Sequence, residues 1–186
     1  MNSLRAGSIC VALSLLLCGT CRAQTIDPAR STLSIEFHEM GVPVEAKFKK
    51  FEGVIDFDEN HPSAAHAQFT VDMMSFDLPD PEYNEEALGP EWFDAAHYPK
   101  ATFVSTAIIP SAAGKLEVRG KLTVKGKTQD VTIPISYNRQ GTLETYQGAL
   151  VVQRLAFGIG TGEWKDTGVL ANDVSIKIRV TTPVKK

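Results

Sequence analysis

Asp94, His97 and Tyr98 lie close together in "EWFDAAHYPKATFVS", residues 91 to 105. A carboxylate three residues before an imidazole can orient it and hold its proton, and a phenol adds a second weak acid. Such a group could run acid–base chemistry on a bound substrate. The same stretch also reads as scaffold. Trp92, Phe93 and Tyr98 would pack it against a core, Asp94 would cap a helical turn, and Pro99 would end it. A Ser–His–Asp hydrolase needs a serine delivered to His97, and the chain has no "GxSxG" elbow. With no recognisable partner group, scaffold is preferred and no residue is assigned as catalytic.

Other candidates for chemistry fail on spacing. His38 and His66 have the parity of a strand's polar face, and His61 sits in a turn. No two histidines share metal-ligand spacing within one element, so no metal is expected. "DFDENHPSAAHA" opens like a calcium loop with Asp56, Asp58 and Asn60. It then puts His61 where glycine is needed and Ala67 where glutamate is needed. "GIGTGEW" (158 to 164) lacks the third glycine of a dinucleotide turn, and nothing helical follows it. No cofactor is expected.

The first 23 residues read as a secretory leader. Arg5 precedes the apolar run "ICVALSLLLC", and Cys21 and Ala23 occupy the small positions before a cut. The run is too short to span a bilayer. Leu17 and Thr20 stand where a lipoprotein would place Gly or Ala before Cys18 or Cys21, so a lipid anchor is not expected. Cleavage after Ala23 removes all three cysteines. The remaining 163 residues, one domain over 24–186, have neither disulfide nor thiol and must be held by an ordinary core. They carry 17 basic and 22 acidic residues, a net charge of −5. That argues against nucleic acid or an anionic membrane as the main partner. Export to the periplasm is the expected destination.

The elements that must position any site follow from alternation. In "KLEVRGKLTVK" (115 to 125), Leu116, Val118, Gly120, Leu122 and Val124 share one face, and charged residues or Thr123 take the other. Period two with one polar face predicts half-buried antiparallel strands. The pattern recurs at Leu33-Ile35-Phe37, Val42-Val44-Ala46-Phe48, Phe51-Gly53-Ile55-Phe57 and Ala65-Ala67-Phe69-Val71. It returns at Val131-Ile133-Ile135-Tyr137 and Val174-Ile176-Ile178-Val180. Residues 101–109 and 146–153 are strands with less clear faces. Eight or nine short strands in one domain predict an all-β sandwich or barrel. Residues 77–99, with four prolines and many acids, form an insertion with room for one or two helical turns.

Several separated blocks resemble the YceI-like family of exported lipid- or polyisoprenoid-binding proteins. They are "MGVPVEAKFKKFEGVIDFD" (40 to 58), "VDMMSFD" (71 to 77), "WFDAAHYPKATFVST" (92 to 106), "GKLTVKGKTQDVTIP" (120 to 134), "QRLAFGIG" and "DVSIKI". Glu39 stands where many members carry a histidine. The resemblance implies a lipocalin-like antiparallel barrel around a long apolar pore, holding an isoprenoid or other long-chain lipid. The pore wall is then assigned to Phe37, Val44, Phe48, Ile55, Phe69 and Val71, with Phe103, Val118, Leu122, Ile133, Ile135 and Phe157. The implied role is a carrier or sequestering protein, not an enzyme, whose ligand is a polyisoprenoid, a quinone or a fatty-acid-like chain. No nucleic-acid or stable membrane partner is expected, and a homodimer is open to it. Two alternatives stand beside this: an enzyme acting on such a lipid through His97, Asp94 or Tyr98, and an interaction module whose barrel is filled by its own side chains.

Overall fold

A computed structural model describes residues 23–184; the leader expected over residues 1–23, apart from Ala23, lies outside the described residues. Eleven strands form: β1 (Gln24–Thr25), β2 (Thr32–Glu39), β3 (Val42–Phe48), β4 (Phe51–Asp56), β5 (His66–Asp72), β6 (Phe76–Asp77), β7 (Lys100–Ala112), β8 (Lys115–Val124), β9 (Lys127–Gln140), β10 (Leu143–Gln153) and β11 (Asp173–Pro183). Nine are long, which agrees with the alternation; β1 and β6 add two residues each. All pair antiparallel in one sheet, in the order β1-β4-β5-β7-β8-β9-β10-β11-β2-β3-β6. The sheet curls into a half-barrel with β1 and β6 as its edges. Among the described residues no helix is long and apolar enough to cross a membrane.

The strand faces follow the parity of the sequence. On β8, Leu116 and Val118 are buried while Lys115, Arg119 and Lys121 are exposed. His38, His61 and His66 are exposed. Val42 departs from its expected inward face and is 62% exposed, because it leaves the hairpin turn at Met40 and Gly41. Both turn residues have positive φ (49° and 81°), the two-residue geometry whose twist matches the flanking strands. The unclear faces of 101–109 have a cause. A register shift between Ser105 and Ala107 on β7 changes the parity, so Ala101, Phe103 and Ile108 are all buried. Pairing of β9 with β10 runs from Gln140↔Leu143 only to Ile135↔Gly148, and the next residue of β9 is Pro134, which has no N–H to give.

Turns assign the two ends of the half-barrel. One end, the mouth, gathers the β2–β3 and β8–β9 turns, the insertion 77–99 and the segment between β10 and β11. The insertion carries helix α1 (Glu82–Ala87) and is pinned by aromatic rings. Phe48, Phe76 and Phe93 meet pairwise with centroids 5.0 to 5.9 Å apart. They belong to a second core cluster with Leu33, Ala46 and Met73. At the opposite end, the base, Tyr146 Oη donates to Glu144 at 2.9 Å and Arg139 Nε donates to the same carboxylate. Tyr137 stacks on Tyr146 and donates to Glu59. Burial, then the Glu59 hydrogen bond, pushes the Tyr137 phenol up to about 12. The Tyr146 phenol is pushed up further, by burial and then by the Glu144 charge. Both rings therefore stay neutral and close the base as hydrogen-bond donors.

Candidate ligand cavity

The curled sheet encloses a cavity of about 590 Å³, within the usual range for small-molecule sites of about 300–1,000 Å³. Its wall is mostly aliphatic and aromatic. The residues assigned to the pore wall are among those that line the cavity. Phe37 comes from β2, Val44 and Phe48 from β3, Ile55 from β4, and Phe69 and Val71 from β5. Phe103 comes from β7, Val118 and Leu122 from β8, Ile133 and Ile135 from β9, and Phe157 from a 3-10 turn after β10.

Sequence reasoning missed other parts of the wall. Leu150 and Val152 could have been found by counting in twos from Tyr146. Trp92, Phe93, Tyr83 and Ala87 come from the insertion, where no period gives them away. The polar rim was also missed. Glu39, Glu45, Asp80 and Glu86 line the cavity at the mouth, brought together by the β2–β3 hairpin and by β6 pairing with β3.

One cation, Arg154, is among the lining residues. It is 3% exposed and fully occupied. Nε donates to the Ala171 carbonyl at 3.0 Å. Nη1 donates to Ile159 and Gly160, and Nη2 to Trp164 and Leu170, at 2.6 to 3.0 Å. All five donors of the guanidinium are thereby used. The glycine-rich segment is the cage around this side chain. A Cβ on Gly160 would lie 2.4 Å from Nη1, at a φ of 66° that disfavours other residues. The segment folds as a loop, and its backbone is committed to Arg154 and to Glu91.

The stretch that carries the triad divides between inside and outside. Trp92 and Phe93 face the cavity, whereas Asp94, His97 and Tyr98 are absent from its wall. Asp94 Oδ1 meets His97 Nδ1 at 2.7 Å, so the carboxylate holds the imidazole instead of capping backbone N–H groups as expected. The hydrogen bond to Asp94, then its charge, raises the His97 pKa above the ordinary value. The imidazole is nonetheless 78% exposed, and among the described residues no hydroxyl is hydrogen-bonded to it. Tyr98 lies over the β8–β9 turn, where a Cβ on Gly126 would meet its ring at 2.7 Å. Lys125 of that turn donates to the carbonyls of Pro90 and Gly158, tying β8 to the insertion and to the Arg154 loop. The stretch thus fixes the mouth. Among the described residues no three His, Cys, Asp or Glu side chains converge to hold a metal.

Comparison with known proteins gives the same architecture a lineage. Residues 24–182 match the model of the YceI-like domain. A UPF0312 protein of Vibrio parahaemolyticus is 30% identical over 139 residues, covering 73% of this chain and 74% of that one. The crystal structure of Burkholderia cenocepacia BcnA superposes with a TM-score of 0.82 at 46% identity, over 84% of this chain and 98% of the other. A polyisoprenoid binding domain from Saccharophagus degradans shares the fold at a TM-score of 0.69 and 16% identity, over 88% and 99%. The match across nearly all the described residues, together with the curled sheet and its cavity, places the chain in the YceI-like family.

Proposed function

We propose that this protein carries or sequesters a long-chain amphiphile in the compartment to which its leader sends it. The observation that supports this most is the cavity: about 590 Å³, walled by hydrocarbon, with Arg154 on its wall already spent on backbone carbonyls. Each methylene moved from water into such a wall gains about 0.8 kcal/mol, so a chain of modest length binds without polar recognition. The polyisoprenoid binding named for the Saccharophagus domain agrees with this reading.

The rim narrows the head group. Glu39, Glu45, Asp80 and Glu86 meet a ligand's polar end, and Arg154 has no donor left for a phosphate or a carboxylate. The reading therefore favours an isoprenoid, quinone or similar chain with an uncharged or cationic head over a fatty-acid anion. Solvent extraction of the purified exported protein, followed by mass spectrometry, tests both parts. Recovery of a neutral or cationic long-chain lipid in near-stoichiometric amount supports them. Recovery of fatty-acid anions removes the head-group assignment. Protein that extracts clean and fails to take up any long-chain amphiphile removes the carrier reading and favours an interaction module. Turnover of an extracted lipid, abolished in His97→Ala, would favour an enzyme.

A further inference from the structure

We infer that Gln24 is cyclised to pyroglutamate in the exported protein. The inference rests on removal of the leader after Ala23. The folded domain begins at that cut: β1 starts at Gln24, and the family match starts at residue 24. Cleavage there makes Gln24 the first residue and sets a free α-amine beside its own carboxamide.

Gln24 is not on a loose end. It is 6% exposed and pairs with Ile55 of β4, itself part of the cavity wall. Its Oε1 accepts from Thr182 Oγ1 at 3.4 Å, and Thr182 is fully buried. Its Nε2 is buried with no hydrogen-bond partner among the described residues. The following residues are stitched down as well: Ile26 N–H donates to Gly53 and Asp27 N–H donates to Thr181. An uncyclised terminus would therefore bring two unfavourable groups to one residue, whose side-chain amide nitrogen is buried. One is an ammonium, charged at neutral pH for an ordinary α-amine near about 7.7–8.0. The other is an amide nitrogen with nothing to donate to. Buried charge and unsatisfied donors both oppose folding.

Cyclisation removes both. The α-amine lone pair attacks Cδ and a C–N bond forms. The Cδ–Nε2 bond breaks, and Nε2 leaves as ammonia, taking the proton that the amine gives up. No oxidant, metal or co-substrate is needed. The product is a neutral lactam with one N–H donor and one carbonyl acceptor. The reaction belongs to the moment when the new terminus is free, since a two-residue terminal strand frays readily. Once β1 docks, the neutral ring lies one strand from the apolar cavity, where a charge would be least welcome. The competing arrangement keeps the ammonium and sets it near Asp56, the buried residue that follows Ile55.

Intact-mass measurement and stepwise N-terminal degradation of protein from the exported fraction decide between them. The expected result is the mass of residues 24–186 less one ammonia, with an N-terminus blocked to degradation and reopened by pyroglutamyl aminopeptidase after unfolding. A chain that begins at Gln24 with full mass and a free amine overturns the proposal and leaves the leader assignment standing. A chain that begins elsewhere overturns both. Gln24→Ala, cut at the same bond, is expected to show a free amine; a block in that variant would assign the modification to other chemistry and overturn the proposal.

Discussion

His97 and Arg154 show how little a residue's type says before its surroundings are known. His97 looked like chemistry and is an exposed imidazole held by Asp94. Arg154 drew no notice and is the pivot of the loop between β10 and β11. The two make opposite predictions. His97→Ala should change stability only slightly, because exposed pairs contribute little. Its effect should depend on pH in a defined direction. The folded-state pKa of His97 is raised, so its stabilisation is fully present below the ordinary histidine value near about 6.5 and is lost as pH rises through the folded value. The gap in Tm between wild type and His97→Ala should be largest in mildly acidic buffer and close in alkaline buffer; a gap that widens with pH would contradict the Asp94 pairing. Arg154→Ala strands five carbonyls at once, those of Gly160 and Leu170 buried and the other three partly buried. It should cost about 2–4 kcal/mol in denaturant unfolding, a size that identifies a broken buried network. A near-neutral Arg154→Ala would mean that the loop finds its shape without the guanidinium.

Elements were readable in proportion to their regularity. β8 could be drawn from the sequence because period two runs unbroken from Leu116 to Val124, and every inward residue of that strand fixes the next. β7 could be read as a strand but not in its faces, because the register shift after Ser105 turns Ile108 inward against the parity of Phe103, and nothing local marks the extra residue. Two-residue strands such as β6 carry no period at all. The insertion was legible as an insertion, through its prolines and acids, but which of its residues face the cavity depends on rings supplied by distant strands. The same limit hid the rim: Glu39 and Asp80 are far apart in sequence and line one cavity through the β2–β3 hairpin and the pairing of β6 with β3. The aromatic cluster that makes this junction is open to test. Phe93→Ala removes a ring 7% exposed that touches both Phe48 and Phe76. It should destabilise the protein by about 3–5 kcal/mol, in the range of buried Phe truncations. It should also loosen the mouth, read as faster hydrogen exchange over residues 77–99 than over β8. Exchange that rises uniformly along the chain would show that the insertion is not held by this cluster.

At the scale of the whole molecule the question is whether the space inside the sheet is room for a ligand or an imperfectly filled core. Tyr146 at the base and Phe48, Phe76 and Phe93 at the mouth line the cavity at its two ends without filling it. Leu122 stands on its wall, part of the inward row of β8 and opposite Phe103 of β7. In a solid core Leu122→Trp is overpacking and costs about 1–3 kcal/mol. In an open cavity the larger ring has somewhere to go, at the expense of the ligand. The expected outcome is therefore a separation of effects: lipid recovered with the purified variant falls sharply, while the delipidated variant melts close to delipidated wild type. Lys121→Trp is the control. Lys121 faces outward and pairs with Asp130, so replacing it forfeits only an exposed ion pair and should leave lipid content unchanged. If Leu122→Trp retains its lipid, the ligand does not pass this level of β8. If its delipidated form is strongly destabilised, the interior there is already packed, and a filled barrel accounts for the molecule better than a carrier does.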